Sequence, residues 1–411
     1  MKQKILKYFL TFIGMIFLFI VLLTLVYSIP NEVIDIRDLK AFHYLKENEG
    51  LYPEFFWETP SARLDNATDY TMIERNQTKL LKDNPFISAM YAGGYSRYWH
   101  GYQVVLRPLL RFFEYQHIRH ITMITFFLLL CVSFSTIHKR MGMQTALCYL
   151  LSLCPLYLTI VSISLQFMSV FVVMFIAIIY LMTFYKTNWL KDITLFFMLI
   201  GMITNFVDFL TAPLLTLGIP LALFLSLELQ TGISPLRSFF KKEISCIISW
   251  FLGYGLCWAS KWVIASLFLE QNIILDALNS IALRTMGNET EPAPRLEMLK
   301  MNFTNMFYSQ GIKIAAVYIF IIFVFLILSI LFHKKQSLKT ATQNIVFPFL
   351  VLAILPYVWF LVLANHSHVH DWFTYRIQAI TLFSLLMILN HLIDWIKIKN
   401  TFQKFTNIKE N

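Results

Sequence analysis

Long apolar runs separated by short polar breaks dominate the chain, with one exception near its start. A first apolar run, Phe9–Ser28, gives way to a polar interval from Ile29 to Arg119, after which apolar runs resume almost without pause. A run of roughly 18 to 22 apolar residues crosses the hydrocarbon core as a helix, which, apart from a closed barrel, is the only form that satisfies the backbone there. The runs are Phe9–Ser28, Ile121–Ile137, Thr145–Ser162, Gln166–Phe184, Thr194–Leu210, Pro213–Leu227, Ile244–Phe268, Ile314–Phe332, Val346–Ala364 and Ile377–Ile393. The pattern therefore predicts an all-α polytopic membrane protein with about ten transmembrane helices. Phe9–Ser28 is read as a retained span because Tyr27-Ser28-Ile29-Pro30 offers no small-residue cleavage site.

Inside the polar interval the period changes to that of amphipathic helices. Ile36, Leu39, Phe42 and Leu45 form one apolar stripe, which predicts an interfacial helix over Asp35–Leu45. A second helix is expected from Asp65 to Leu81, ended by Asn84-Pro85, with a turn at Gly93-Gly94 and a third amphipathic stretch at Val104–Phe113. A later polar loop, 270–313, carries another candidate interfacial helix at Ile274–Leu283. The expected organisation is a terminus and first span (1–28), a large extracytoplasmic loop (29–119), a bundle of spans (120–393) and a basic tail (394–411).

Composition agrees with a membrane location: of 411 residues 57% are hydrophobic and only 14% charged. The net charge of +10 would suggest a nucleic-acid partner in a soluble protein. Here the placement of charge excludes that reading. Lys2, Lys4 and Lys7, then Lys139-Arg140, Lys186 with Lys191, and Lys241-Lys242 fall in alternate loops, so the positive-inside rule predicts that both termini are cytoplasmic and the 29–119 loop lies outside. All five cysteines sit in apolar runs and read as small core residues, and the Lys, Ile, Asn and Phe bias suggests the plasma membrane of a Gram-positive bacterium.

Candidate chemistry is concentrated in the first loop and at the outer ends of spans. Asp65 and Asp69, one helical turn apart, could be a general base with its orienting partner, a divalent-cation site or a solvated helix face. In the run Tyr95–Tyr102, Tyr98, Trp99 and Tyr102 can stack on sugar faces while Arg97 and His100 meet charge, or the aromatic groups can form an interfacial belt. Arg107 adds a cation in the third amphipathic stretch. Asn205 and Asp208 share a helix face near the outer end of a span, where polar groups are costly, and Lys261 is expected to snorkel. Before the last span, His366, His368 and His370 precede Tyr375 and Arg376; on a helix only His366 and His370 share a face. That connector could hold a metal, bind an oxyanion through Arg376 and His366, or serve as an interfacial anchor.

One span, a large outer loop with acidic residues and interfacial helices, and then many spans with short loops resemble the GT-C superfamily of polyprenyl-phosphate-dependent membrane glycosyltransferases. The segments Leu64–Asp69, Tyr95–Leu110 and His366–Arg376 are also similar to those of membrane proteins associated with Gram-positive surface polysaccharide. The resemblance implies transfer of a sugar from a polyprenyl-phosphate donor to a cell-envelope glycan acceptor, with a first-loop aspartate as base and no obligatory cofactor. Asp65 and Asp69 are the matching positions, with Asp35 and Asp38 as rivals. A flippase for a lipid-linked glycan, a polysaccharide polymerase or ligase, and a non-catalytic scaffold are the competing readings.

Overall fold

The structure, a computed structural model, describes residues 2–30, 32–55, 59–74, 84–230, 236–288, 292–309, 311–334 and 341–408. Every regular element among them is helical. Among the described residues six helices are long and apolar enough to cross a membrane, and four shorter apolar ones accompany them.

In chain order the elements are α1 (Lys2–Tyr27), α2 (Glu32–Phe42), α3 (Asn66–Glu74), α4 (Pro85–Tyr91) and α5 (Gln103–Phe112). Next come α6 (Tyr115–Met141), α7 (Met143–Leu153), α8 (Leu158–Ile163), α9 (Leu165–Phe184), α10 (Ile193–Val207), α11 (Leu215–Gln230) and α12 (Leu236–Leu269). The last third comprises α13 (Ile273–Met286), α14 (Arg295–Phe307), α15 (Ile312–Leu331), α16 (Phe347–Val362), α17 (Ala364–Val369), α18 (Ala379–Leu392) and α19 (Trp395–Ile408).

Several sequence expectations are corrected. The helix expected over Asp65–Leu81 begins at Asn66 and is described to Glu74, so its remainder, with Leu80, lies outside the described residues. Asn84-Pro85 starts a helix instead of ending one. The Asn84 side chain accepts from the amides of Phe86 and Ile87, and Pro85 occupies the first turn, where its missing N–H costs nothing. The run Thr145–Ser162 is not one helix: Pro155 lies in a tight 3-10 turn, and Tyr157 at φ 51° redirects the chain into α8.

The main core gathers α6, α7, α9, α11 and α18, with α11 and α18 buried almost all round, as expected of central helices. Apolar faces of α1, α12 and α15, including Ile5, Leu252 and Phe320, are exposed, as lipid-facing surface must be. Helices α10 and α12 lie closely side by side. A Cβ built on Gly201 would meet the Trp250 carbonyl, and one on Gly253 the Met198 carbonyl, so both positions need glycine for backbone approach. Gly255, two residues on, faces open space.

Replacing Gly201 or Gly253 with Leu should destabilise the α10–α12 pair by about 1–3 kcal/mol or more. Gly255→Leu should be close to neutral. Thermal unfolding of the three purified variants in one detergent checks this.

Candidate functional site

The loop Tyr95–Tyr102 is seated on the shared end of α10 and α12. Gly101 donates its amide to the Phe206 carbonyl at 2.7 Å, and the Phe206 ring and carbonyl occupy the space a Cβ would need. Both Trp258 (2.8 Å) and Trp262 (3.0 Å) of α12 donate their indole N–H to the Arg97 carbonyl. Trp99 is fully buried and donates in turn to the Cys257 carbonyl at 2.8 Å. Lys261, expected to snorkel outward, is also fully buried: its ammonium donates to the Met90 carbonyl at 2.9 Å and lies over the Trp99 ring. The cause is the C-terminus of α4, whose free carbonyls offer a buried cation better partners than any outward path. Trp99 and Lys261 therefore fasten the loop.

What the fastening holds in place is a cluster drawn from five segments. Tyr98 and Tyr95 stack at 5.2 Å; Arg284 of α13 lies over the Tyr98 ring and donates to the Tyr95 hydroxyl at 3.3 Å. Arg97 covers the other part of Tyr95, with its carbon 4.1 Å from the ring centre, and pairs with Asp276 at 2.8 Å. Burial raises the Tyr95 phenol, but Arg284 and Arg97 outweigh it and hold the group below its ordinary value. Tyr254 and Asp208 face the same space. The buried Tyr98 hydroxyl and one terminal nitrogen of Arg284 have no hydrogen-bond partner among the described residues, and the Tyr254 hydroxyl lies against the Asn205 amide. Such unmet donors around two guanidinium groups are suited to an oxyanion.

Asp208 and two histidines complete the cluster. Thr211 donates its amide to both Asp208 oxygens at 3.2 Å and its hydroxyl to Oδ1. Burial pushes the Asp208 carboxyl up to about 6, with the Thr211 hydrogen bonds opposing. As expected for a helix, His366 and His370 share a face, with rings 4.9 Å apart, and His366 Nε2 bonds to the Leu210 carbonyl at 2.9 Å. Burial holds His366 well below its ordinary range and brings His370 to about 4, with Arg284 adding to both. Both imidazoles are neutral at neutral pH, which leaves Arg284 and Arg97 as the cations. His100, at φ 58°, bonds the Tyr95 carbonyl through Nε2 at 2.8 Å and packs on Phe209.

Beside this cluster lies an apolar groove of about 290 Å³, lined among others by Tyr102, Val105, Leu109, Ile118, Met168 and Val207. Gly101 and Tyr102 belong to both the groove and the loop. The loop thus runs from the polar cluster, at Tyr95 and Tyr98, to the groove, at Gly101 and Tyr102.

The other expected site residues go elsewhere. Asp69 is fully buried and receives four hydrogen bonds, from Tyr115 Oη (2.8 Å), Ser164 Oγ (3.2 Å), and the amides of Leu165 (3.1 Å) and Gln166 (3.0 Å). It thus caps the N-terminus of α9 from outside, satisfying amides that the helix itself cannot. Asp65 caps its own helix, with Thr68 donating its amide and hydroxyl at 2.8 Å each. Burial raises both carboxyls, Asp65 to about 6. The two aspartates expected to form one catalytic pair thus hold separate helix starts. Behind them Arg119 joins Glu49 (2.7 Å) to Asn66 (2.6 Å). Of the rivals, Asp38 is buried and pushed to about 7 by burial, with Glu74 and Asp35 adding; Asp35 is raised by burial against Arg107.

Arg107 ties α5 to the end of α1 through the carbonyls of Val26 (2.9 Å) and Ile29 (3.0 Å). Arg376 does not join His366. It stacks on Phe167 at 4.3 Å, donates Nε to the Leu156 carbonyl at 3.3 Å and lies beside the Tyr375 side chain. Phe373 separates the two, stacked on His370 at 5.0 Å and tilted against Phe167 at 5.7 Å. Tyr375 reaches the Pro155 carbonyl at 3.5 Å, while the buried Nδ1 of His368 has no hydrogen-bond partner among the described residues. Among the described residues no three His, Cys, Asp or Glu side chains converge as metal ligands. No described protein family, curated protein or solved structure matches the chain.

The capping account makes Asp69→Ala strongly destabilising, by about 3–5 kcal/mol, since it strips α9 of its cap and leaves Arg119 short of negative charge. Asp65→Ala should cost only about 1 kcal/mol. Thermal unfolding and the recovered folded fraction measure both.

Proposed function

We propose that the chain is a membrane glycosyltransferase, moving a sugar from a polyprenyl-phosphate donor to a cell-envelope glycan outside the cytoplasm. The observation that carries this reading is the junction formed by one loop, whose Tyr95 and Tyr98 belong to a cationic, donor-rich cluster and whose Gly101 and Tyr102 line an apolar groove. An amphiphile with an anionic head and an isoprenoid tail fits that junction as few other ligands do. Arg284, with Arg97 and the Tyr95 and Tyr98 hydroxyls, takes the phosphate; Tyr102, Val105 and Val207 take the first part of the tail.

In the transfer, an acceptor hydroxyl attacks the anomeric carbon as the carbon–phosphate oxygen bond breaks in line. Asp208 removes the acceptor proton, and the electron pair of the broken bond leaves on the polyprenyl phosphate, whose charge Arg284 stabilises. Assigning the base to Asp208 departs from the first-loop expectation, because Asp69 is committed to α9. The guanidinium groups neutralise the leaving phosphate, so the reading requires no metal. It places both termini in the cytoplasm, counts the four shorter apolar helices with the six long ones as spans, and assigns a Gram-positive plasma membrane. A second reading, a flippase for a lipid-linked glycan, draws on one observation: Val173 lines both this groove and a second one nearer the opposite end.

Purified protein given a radiolabelled polyprenyl-phosphate sugar and an acceptor glycan tests the proposal. Arg284→Ala and Asp208→Asn should each lower transfer by about 10²–10⁴-fold without lowering the unfolding temperature, and Arg284→Lys should recover part. Because Asp208 must be ionised to accept a proton, the wild-type rate should fall about tenfold per pH unit below about 6 and level off above it. Full transfer by both variants would overturn the reading, and translocation across vesicles without transfer would favour the flippase.

A further inference from the structure

At the other end of the bundle, α9 and α10 touch sparsely although they are consecutive, since α10 packs along α12 instead. Between them runs a lateral groove of about 580 Å³. Its walls are apolar, with Ile176, Ala177, Leu199 and Ile203 along its length. Its polar end is formed by Lys7 of α1 and by the turn Asn188–Asp192, which carries Lys191 and the exposed Trp189.

The charges at that end are not balanced. Asp192, the one carboxylate on the rim, is already engaged: it accepts from Tyr8 Oη at 3.0 Å, from Thr194 Oγ1 at 2.7 Å and from the Leu195 amide at 3.2 Å, with Lys4 at 3.8 Å. Glu228, in the adjoining cavity, is paired with Lys242 and bonded by Tyr185. Lys7 and Lys191 make no ion pair among the described residues, and Lys186 contributes a third ammonium in the adjoining cavity. A slot of apolar depth with surplus ammonium groups and an indole at its mouth is complementary to one kind of molecule. Its chains must be aliphatic and its head anionic at the interface.

We propose that this groove is a binding site for an anionic glycerophospholipid of the adjacent leaflet, with an acyl chain between α9 and α10 and the phosphate on Lys7 and Lys191. The lipid fills a cleft that the helices leave open and screens like charges from α1 and the 185–192 turn. This site stands apart from the cluster around Arg284 and does not depend on its function.

Native mass spectrometry of the purified full chain tests the site, using phosphatidylglycerol and phosphatidylcholine of identical acyl composition. The wild type should retain one phosphatidylglycerol about tenfold better than phosphatidylcholine. Lys7→Gln/Lys191→Gln should abolish the preference, Lys7→Arg/Lys191→Arg should keep it, and Ile176→Trp, on the rim of the slot, should weaken retention. Equal retention of the two lipids by wild type, or a preference unchanged in the double Gln variant, would overturn the proposal. Since both substitutions are on exposed lysines, unchanged elution and unfolding temperature will identify folded protein.

Discussion

Everything at the polar end of the bundle depends on the fastening of one loop to the paired ends of α10 and α12. Gly101 brings loop backbone against Phe206, two indoles of α12 share the Arg97 carbonyl, Trp99 bonds back to the Cys257 carbonyl of α12, and Lys261 of α12 reaches the Met90 carbonyl of α4. Each hydrogen bond contributes only about 1 kcal/mol, yet leaving any of these buried partners unsatisfied costs more. The fastening can exist because Gly201 and Gly253 let α10 and α12 approach closely. A spacing set inside the apolar bundle thereby fixes where Tyr95, Tyr98 and Arg97 stand.

Buried carboxylates in this protein divide by what surrounds them. Asp69 lies among donors that a helix N-terminus and neighbouring side chains supply in full, which makes it a structural anion. Asp208 is held only from its own turn, by Thr211 and the amides of Phe209 and Leu210, and shares its space with the Tyr98 and Tyr254 phenols. The difference lies in where the donors come from and what the neighbours leave unmet, not in burial, since neither residue reaches solvent. Functional chemistry belongs where polar groups are left incomplete, because a ligand can complete them.

Hydrophobic periodicity made the helical class and the apolar segments legible, since the bilayer requirement acts on every residue of a span. The amphipathic stripes at Asp35–Leu45, Val104–Phe113 and Ile274–Leu283 were legible for the same reason and correspond to α2, α5 and α13. The break at Pro155 and Tyr157 was less so, because a left-handed tyrosine leaves no local signal. Of the site, the Tyr95–Tyr102 run, Asn205, Asp208 and His366 could be chosen by residue type at membrane depth. Arg284 and Tyr254 could not: one ends α13, the other lies within α12, and only tertiary packing brings them to Tyr98. Conversely, Asp65 and Asp69 had the spacing of a catalytic pair, but spacing does not reveal that Ser164–Gln166 supplies donors to one of them.

The most direct test of the account is a structure of the purified chain bound to a polyprenyl phosphate. It should place the phosphate within hydrogen-bonding distance of Arg284 and the Tyr95 hydroxyl, and the first isoprene units along Tyr102, Val105 and Val207. A phosphate bound instead at Arg376, or lipid density absent from that groove, would contradict it.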